Sequence, residues 1–356
     1  MPALNRPASS QTPSVALRRF AWVVLVYFIA TILWGTVVRA TGSGAGCGDH
    51  WPLCNGTVMQ QTPSMETMVE FAHRITAGLD VLLVLALLLW SWRSTVPHHL
   101  ARRAAAAAVF FTFTEALLGA LLVKLGLTAD SHSPLRPPFL ALHLSNTLLL
   151  VAALAMTAHL LGRAEGFRWR DLRITHPVGT TIGMIAVMIV GVTGSLAALG
   201  DTLFPATSLR SSLAEDFSEH STWLLRWRWT HPSFAILASI FLIWVLIRAN
   251  RRGSPWDNRG LSMLVVGLLA LQYLLGAVDV WLLAPVWMQV IHLLGADVLW
   301  SALVVLTARL TLVPREPSQA LSCRAAERFR SHCLPGRRSR RGFSLMKSHT
   351  HHCPSV

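Results

Sequence analysis

The chain has 356 residues, of which 53% are hydrophobic and 13% are charged. This composition is too apolar and too poorly charged for an ordinary soluble domain, so it predicts an integral membrane protein. The net charge of +14 comes from cations spread over several loops, and such a distribution reflects membrane topology. A nucleic-acid-binding protein would concentrate its cations in one patch, and that class is therefore excluded.

Eight apolar stretches are long enough to span a bilayer, which takes about 20 mostly apolar residues in a helix. They lie near residues 20–39, 70–92, 104–125, 139–161, 178–199, 230–248, 260–282 and 286–312. Strands of a membrane barrel would be about ten residues long and alternate in polarity, which excludes a β-barrel. The expected fold class is an all-α integral membrane protein.

The two halves of the chain resemble each other. TGS at 41–43 recurs at 193–195, LLGA at 117–120 recurs at 274–277, and HLSNTLLL from His143 matches HLLGADVL from His292. The similar offsets indicate one duplication and predict two parallel four-helix-bundle repeats. The expected segments are an N-terminal segment at 1–19, a first half at 20–162, a linker at 163–176, a second half at 177–313 and a basic, disordered tail at 314–356.

Arginines flank alternate loops of the predicted bundle. They are Arg18, Arg19, Arg93, Arg102, Arg103, Arg163, Arg168, Arg170, Arg173, Arg248, Arg251, Arg252 and Arg259. Loops rich in cations stay in the cytoplasm, so both termini and the linker are expected on the cytoplasmic side. The first loop, which holds Cys47 and Cys54, then faces the oxidising outer side.

Four histidines lie in the apolar stretches at matching positions, His73 with His143 and His231 with His292. An imidazole in hydrocarbon must be hydrogen-bonded, paired or bound to a metal. A single histidine could bond a neighbouring helix, but two repeated pairs fit two bis-histidine haem sites better. Bare zinc or copper usually takes three or four side-chain ligands, and each half offers two histidines.

The halves differ beside these histidines. Glu70 precedes His73 by one helical turn, whereas the equivalent residue of the second half is Arg228. Glu70 could act as a base or stabilise positive charge at a haem, or it could be a first-turn acid that the helix dipole favours. Arg74 could hold a haem propionate or pair with one of the acids expected inside the membrane. The acids expected inside the membrane are Asp80, Glu115, Asp279 and Asp297.

Cys47 and Cys54 are separated by six residues, and turn conformations are supplied in and around this stretch by Gly46, Gly48, Pro52 and Gly56. A disulfide between them is sterically plausible and suits an oxidising compartment. It could be a structural staple or a redox-active pair, and the sequence leaves both open. Cys323, Cys333 and Cys353 lie in the predicted cytoplasmic tail and are expected to be thiols.

Three sequence motifs resemble one family closely. Residues 39–44 read RATGSG, residues 47–56 read CGDHWPLCNG, and residues 70–74 read EFAHR. This combination is similar to the first outer loop and second helix of the haem A synthase family, and the likeness covers roughly residues 20–312. Members of that family oxidise a methyl group of haem O to the formyl group of haem A, by successive hydroxylations. The presence of the first-loop cysteine pair resembles the bacterial type.

The resemblance implies a role for each half. Glu70, His73 and His143 would serve the substrate haem O, with Glu70 catalytic, and His231 and His292 would hold a resident haem b that relays electrons. It also implies a bacterial cytoplasmic membrane, with a mitochondrial inner membrane as the alternative, and a haem O synthase as neighbour. The electron acceptor stays open. Alternatives from other classes are a dihaem cytochrome b-like carrier and a haem transporter.

Overall fold

A computed structural model describes residues 14–57, 62–163, 172–175, 177–251 and 258–314. The expectations for the segment before residue 14, for most of the linker and for the tail after residue 314, including its cysteines, lie outside the described residues.

The eight predicted membrane helices are confirmed, and each is long and apolar enough to span a bilayer. They are α1 (Val15–Ala40), α2 (Met65–Ser94), α3 (Leu100–Lys124), α4 (Arg136–Leu161), α5 (Pro177–Leu203), α8 (Thr230–Arg251), α9 (Arg259–Trp281) and α10 (Val286–Thr311). Several begin before the apolar run because a polar cap and first turn precede it. Ser64, for example, accepts a hydrogen bond from the Thr67 amide at 3.2 Å and caps α2.

Several short elements were not predicted from the sequence. They are a 3-10 helix at Ser43–Ala45, helices α6 (Leu209–Asp216) and α7 (Trp223–Arg226), and strands β1 (Leu172–Ile174) and β2 (Leu312–Pro314). The strands pair antiparallel, with Leu172 opposite Pro314. They join the linker to the chain that follows α10. Three-residue strands carry no periodic signal, since alternation becomes readable only over about four residues or more.

Helices of the first half pack among themselves, with α3 against α4 and α1 against both α2 and α4. In the second half α5 packs on α8 and α9 packs on α10. The halves meet where α4 contacts α5 and α10, and the buried Trp300 donates its indole N–H to the Leu148 carbonyl oxygen at 2.8 Å. The duplication and the division into halves stay predictions, and this packing agrees with them.

Apolar side chains cover the outside of the bundle, as expected for a surface that faces lipid. Val23, Leu82 and Phe110 are each at least 60% exposed. Tryptophans also lie exposed near the ends of the second-half helices that are predicted to face outward, at Trp223, Trp227, Trp229, Trp281 and Trp287. Such residues favour the boundary between lipid and water. The chain is therefore a multi-pass membrane protein.

Candidate haem-binding sites

His231 at the start of α8 and His292 in α10 face each other. Their ring centroids are 6.4 Å apart and the ring planes are perpendicular. His231 Nδ1 lies 3.0 Å from the Val190 carbonyl oxygen and 3.4 Å from Thr193 Oγ1. A carbonyl at Nδ1 favours the tautomer with the proton on that nitrogen, which leaves Nε2 as the available ligand atom.

His73 in α2 and His143 in α4 form the other pair, and they lie close enough for their charges to interact. Both rings are half-buried. His73 Nδ1 is buried without a hydrogen-bond partner among the described residues, whereas His143 Nδ1 lies 3.2 Å from a carboxylate oxygen of Glu115 in α3. That distance suits an ion pair or a bent hydrogen bond, because the two groups are not aligned for a straight one. The structure thus brings the rings of His231 and His292 opposite each other, and it places His73 and His143 within range of an electrostatic interaction.

Glycines lie directly behind several of these rings. A Cβ added to Gly35 would lie 3.1 Å from His73 Cε1, and one added to Gly194 would lie 2.9 Å from His231 Cε1. Gly276 has the same relation to His292, at 3.3 Å. The absence of a side chain lets each imidazole pack against the backbone of a neighbouring helix. The helices therefore leave room for the rings at these positions and limit how the rings can turn.

One repeat landmark from the sequence is wrong. The TGS at 41–43 lies at the end of α1, where Thr41 is the C-terminal cap, whereas the TGS at 193–195 lies inside α5. Gly35 is the residue that backs His73 as Gly194 backs His231. Their separation along the chain is nearly the same as the separation between the two histidines. The TGS match is a coincidence of short sequence. Its offset between the two halves is smaller than the separation between His73 and His231.

The second pair fits an iron already held in a macrocycle. A first-row metal lies about 2 Å from an imidazole nitrogen, so two rings that share one metal have centroids about 6 Å apart. The observed 6.4 Å between His231 and His292 agrees with that value. Within the described residues, no group of three or more His, Cys, Asp or Glu side chains is arranged to hold a metal ion. Two histidines suffice when a porphyrin supplies the other ligands.

Glu70 is almost fully buried, and both of its oxygens have partners. Oε2 accepts a hydrogen bond from the Cys47 amide at 2.8 Å, and Oε1 pairs with the Arg74 guanidinium. Arg74 also donates to the carbonyl oxygens of His50 and Leu53, at 2.7 and 2.9 Å. Arg74 thus pairs with Glu70, which was not among the acids considered for it from the sequence. Together the two side chains tie the first loop to the second turn of α2.

Arg228, the counterpart of Glu70, makes an equivalent attachment with the opposite charge. It lies 2.7 Å from Asp201 and 2.7 Å from Asp216, and it donates to the Ser212 carbonyl oxygen at 3.0 Å. These bonds hold α6 against the end of α5 and the start of α8. Each half therefore uses a charged residue at this position to fix the segment that precedes its histidine.

The first loop is closed by a disulfide between Cys47 and Cys54, as predicted. Both cysteines are buried. The loop backbone lies so close to α2 that a Cβ on Gly46 would collide with the Glu66 carbonyl carbon, and Thr67 Oγ1 donates to the Gly46 carbonyl oxygen at 2.7 Å. Glycine is needed at position 46 because any side chain would collide with the helix backbone.

Other acids inside the bundle have few partners. Both carboxylate oxygens of Asp80 and one of Asp297 are buried without a hydrogen bond among the described residues. Asp279 likewise has one such oxygen. Sequence reasoning named all of these acids but did not connect Glu115 to His143. The signal that could have found this contact was the repeat match of Glu115 to Gln272. The two residues differ in charge, and each lies on the helix that precedes the helix of its histidine.

Comparison with known proteins shows the family. Residues 18–304 match the model of COX15-CtaA, described as Cytochrome oxidase assembly protein. The chain belongs to this family. The Bacillus cereus protein named Heme A synthase is 28% identical over 304 residues, which covers 82% of this chain and 93% of that protein. The protein of the same name from Bacillus licheniformis is 27% identical over 256 residues, 68% of this chain and 78% of that relative.

A relative from Thermus thermophilus, named Protoheme IX farnesyltransferase, is 42% identical over 293 residues. The match covers 82% of this chain but 48% of that protein. The chain thus spans about half the length of this Thermus relative, and about half of the protein of the same name from a second strain of that species.

Proposed function

We propose that this chain is a haem A synthase, a membrane oxidoreductase that converts a methyl group of haem O to the formyl group of haem A. The observation that carries the proposal is the presence of two unlike histidine pairs in one bundle, one of them with a carboxylate at its ring. The Bacillus relatives named Heme A synthase support it, since one of them is matched over 93% of its length. A carrier that holds two permanent haems has no evident need for such a difference.

The second half would hold the resident cofactor. His231 and His292 supply two facing imidazoles, and the Val190 carbonyl fixes the His231 tautomer. Haem b bound there would supply one-electron transfer, because two axial histidines leave no open position for a substrate. Gly194 and Gly276 keep the rings against α5 and α9. This pair therefore suits electron relay.

The first half would hold haem O between His73 and His143. Glu70 lies one helical turn before His73, and we propose that it acts on the substrate from that position. The bonds from Cys47 and Arg74 hold its carboxylate in place. Oxidation of the methyl carbon releases electrons and protons, so a fixed carboxylate near the reacting edge could accept a proton or stabilise positive charge.

The proposed location is the bacterial cytoplasmic membrane, with both termini in the cytoplasm. The proposed neighbour is a haem O synthase. In the Thermus relatives the region similar to this chain is part of a protein about twice as long that is named for farnesyl transfer. A farnesyl-transfer activity in the rest of such a protein would supply the substrate used by the matched part.

The activity is tested by co-expressing the chain with a source of haem O and separating the extracted haems by chromatography. Haem A that forms only when this chain is present supports the proposal. Retention of haems without any haem A would favour the dihaem carrier instead. A second culture supplies haem b and a farnesyl donor without haem O synthase. Haem O made there would show that the chain itself carries the activity named for the Thermus relatives.

Glu70→Ala tests the catalytic proposal. We expect it to abolish haem A formation while haem b stays bound to the second half, because the hydrogen bonds of Glu70 among the described residues go to the first loop and to α2. Glu66→Ala is the matched control, since Glu66 lies one turn earlier in α2 and is exposed. Haem A formed at a near-normal rate by Glu70→Ala would reduce Glu70 to a structural attachment for the loop.

A further inference from the structure

Glu115 in α3 bridges several residues of α4. Its Oε1 lies 3.2 Å from His143 Nδ1 and accepts a hydrogen bond from Thr147 Oγ1. Its Oε2 accepts a hydrogen bond from Asn146 Nδ2 at 2.5 Å. The three α4 residues share one helix face because they are spaced by three and four positions. One carboxylate therefore fixes the histidine together with the two polar residues beside it.

Asn146 is itself held in place. Its Nδ2 also donates to the Phe111 carbonyl oxygen at 2.8 Å, and its Oδ1 accepts from Thr114 Oγ1 at 2.6 Å. Thr147 Oγ1 is also 2.9 Å from the His143 carbonyl oxygen. Because Asn146 is hydrogen-bonded elsewhere as well and Thr147 lies against the α4 backbone, the Glu115 carboxylate has little freedom to turn away from the ring. A rigid second layer of this kind determines how a ligating imidazole is oriented.

The second half lacks an equivalent network among its described residues. Gln272 replaces Glu115, and Gly295 and Ala296 replace Asn146 and Thr147. In the amide orientation that satisfies both groups, Gln272 donates to the His292 carbonyl oxygen at 3.2 Å and accepts from the Ala296 amide at 3.1 Å. Gly295 allows this approach, since a Cβ there would collide with the Gln272 side chain. Gln272 thus bonds the helix backbone, whereas Glu115 reaches the imidazole.

We propose that Glu115 is a positioning residue that holds His143 through Nδ1 and gives the axial ligand of the first-half haem a negative charge that the second-half ligands lack. This rests on the proposed function, since it requires a haem between His73 and His143. A carboxylate at the outer nitrogen makes a ligating histidine more basic. A more basic axial ligand stabilises the oxidised iron relative to the reduced iron. The first-half haem should therefore be the harder of the two to reduce.

The test is a redox titration of the purified full-length protein with haems bound. His143→Ala assigns the first-half signal, because it removes one of that haem's two axial ligands. In Glu115→Gln we expect the ratio of reduced to oxidised first-half haem, at a fixed ambient potential, to rise about tenfold, equivalent to about 59 mV for one electron. The second-half haem should keep its ratio and thereby report an intact fold. Gln272→Ala, the matched control, should leave the first-half ratio unchanged.

Selective loss of the first-half haem from Glu115→Gln would also support the proposal, because losing an outer partner of a ligand lowers metal affinity about 10- to 100-fold. An unchanged ratio with both haems bound would overturn it. Loss of both haems would overturn it as well, since Glu115 would then serve the fold as a whole. Failure of the proposed function is a separate result. In that case the unaltered chain makes no haem A, whatever Glu115→Gln does to the potential.

Discussion

Gly194→Ala tests whether the backbone behind His231 sets the position of its ring. The new Cβ would lie 2.9 Å from Cε1 and 3.1 Å from Nδ1 of His231. Carbon atoms in ordinary contact are about 3.5–4.0 Å apart, so the ring must move by about 0.5 Å or more. A functional site works only when its groups stay within about 0.5 Å of their productive positions, and this movement of the ring reaches or exceeds that limit. We therefore expect haem b affinity to fall about 10- to 100-fold, as after loss of an outer-shell partner.

Global stability should change much less than haem affinity. Replacing a helical glycine by alanine contributes about 1 kcal/mol to the folded state, whereas overpacking costs about 1–3 kcal/mol. The net destabilisation is then roughly 0–2 kcal/mol. Such a change leaves most of the protein folded, so a loss of haem would not be explained by unfolding.

The assay measures bound haem b per protein by absorbance across a series of haem concentrations, with thermal unfolding recorded in parallel. Gly267→Ala in α9 is the matched control, because a Cβ there meets nothing within 4 Å among the described residues. It should bind haem b normally. The reasoning fails if Gly194→Ala binds haem b as tightly as the unaltered chain, since His231 would then not depend on the space beside Gly194.

Further predictions concern the second histidine pair, the cysteine pair and one buried histidine. His231→Ala or His292→Ala should each remove the haem b absorbance, and an unchanged bis-histidine spectrum in both would refute that assignment. Cys47 and Cys54 should resist alkylation without reductant, and full haem A formation by the double serine variant would rule out a redox role. His99, buried beside α3, accepts a hydrogen bond from the Ala101 amide, and burial, then Arg102, lowers its pKa. Since the unfolded chain binds that proton more readily, unfolding should become easier as the pH falls below about 6.5, and His99→Asn should flatten this dependence.

The helices and the histidine pairs could be predicted because their signals lie along the chain. An apolar run of about 20 residues identifies a span wherever it packs, and a histidine inside such a run needs a partner. The partner of His143 could not be predicted in this way, since Glu115 lies on a different helix and reaches His143 only because α3 packs against α4. Gly35 was missed for the same reason. Its importance depends on the ring of His73, which lies on another helix.

The difference between Glu70 and Arg228 carries less information about chemistry than the sequence indicates. A carboxylate in one half and a guanidinium in the other first points to catalysis in the half with the acid. In the structure, however, each residue ties down the segment before its histidine, Glu70 through the Cys47 amide and Arg228 through Asp201. A charge reversal that preserves the same structural attachment is not by itself evidence for a catalytic role. The catalytic role proposed for Glu70 therefore depends on its distance of one turn from His73.

The difference between Glu115 and Gln272 has another character, because the two residues no longer contact the same group. Glu115 reaches the ring of His143, whereas Gln272 bonds the backbone at His292 and Ala296. After a duplication, a substitution that changes what touches a ligand can separate two sites that began alike, while the helices around them stay the same. One half can then keep its haem as a relay and the other can present its haem for oxidation. In the proposed function, the redox difference between the two haems would lie in the layer of residues behind their ligands.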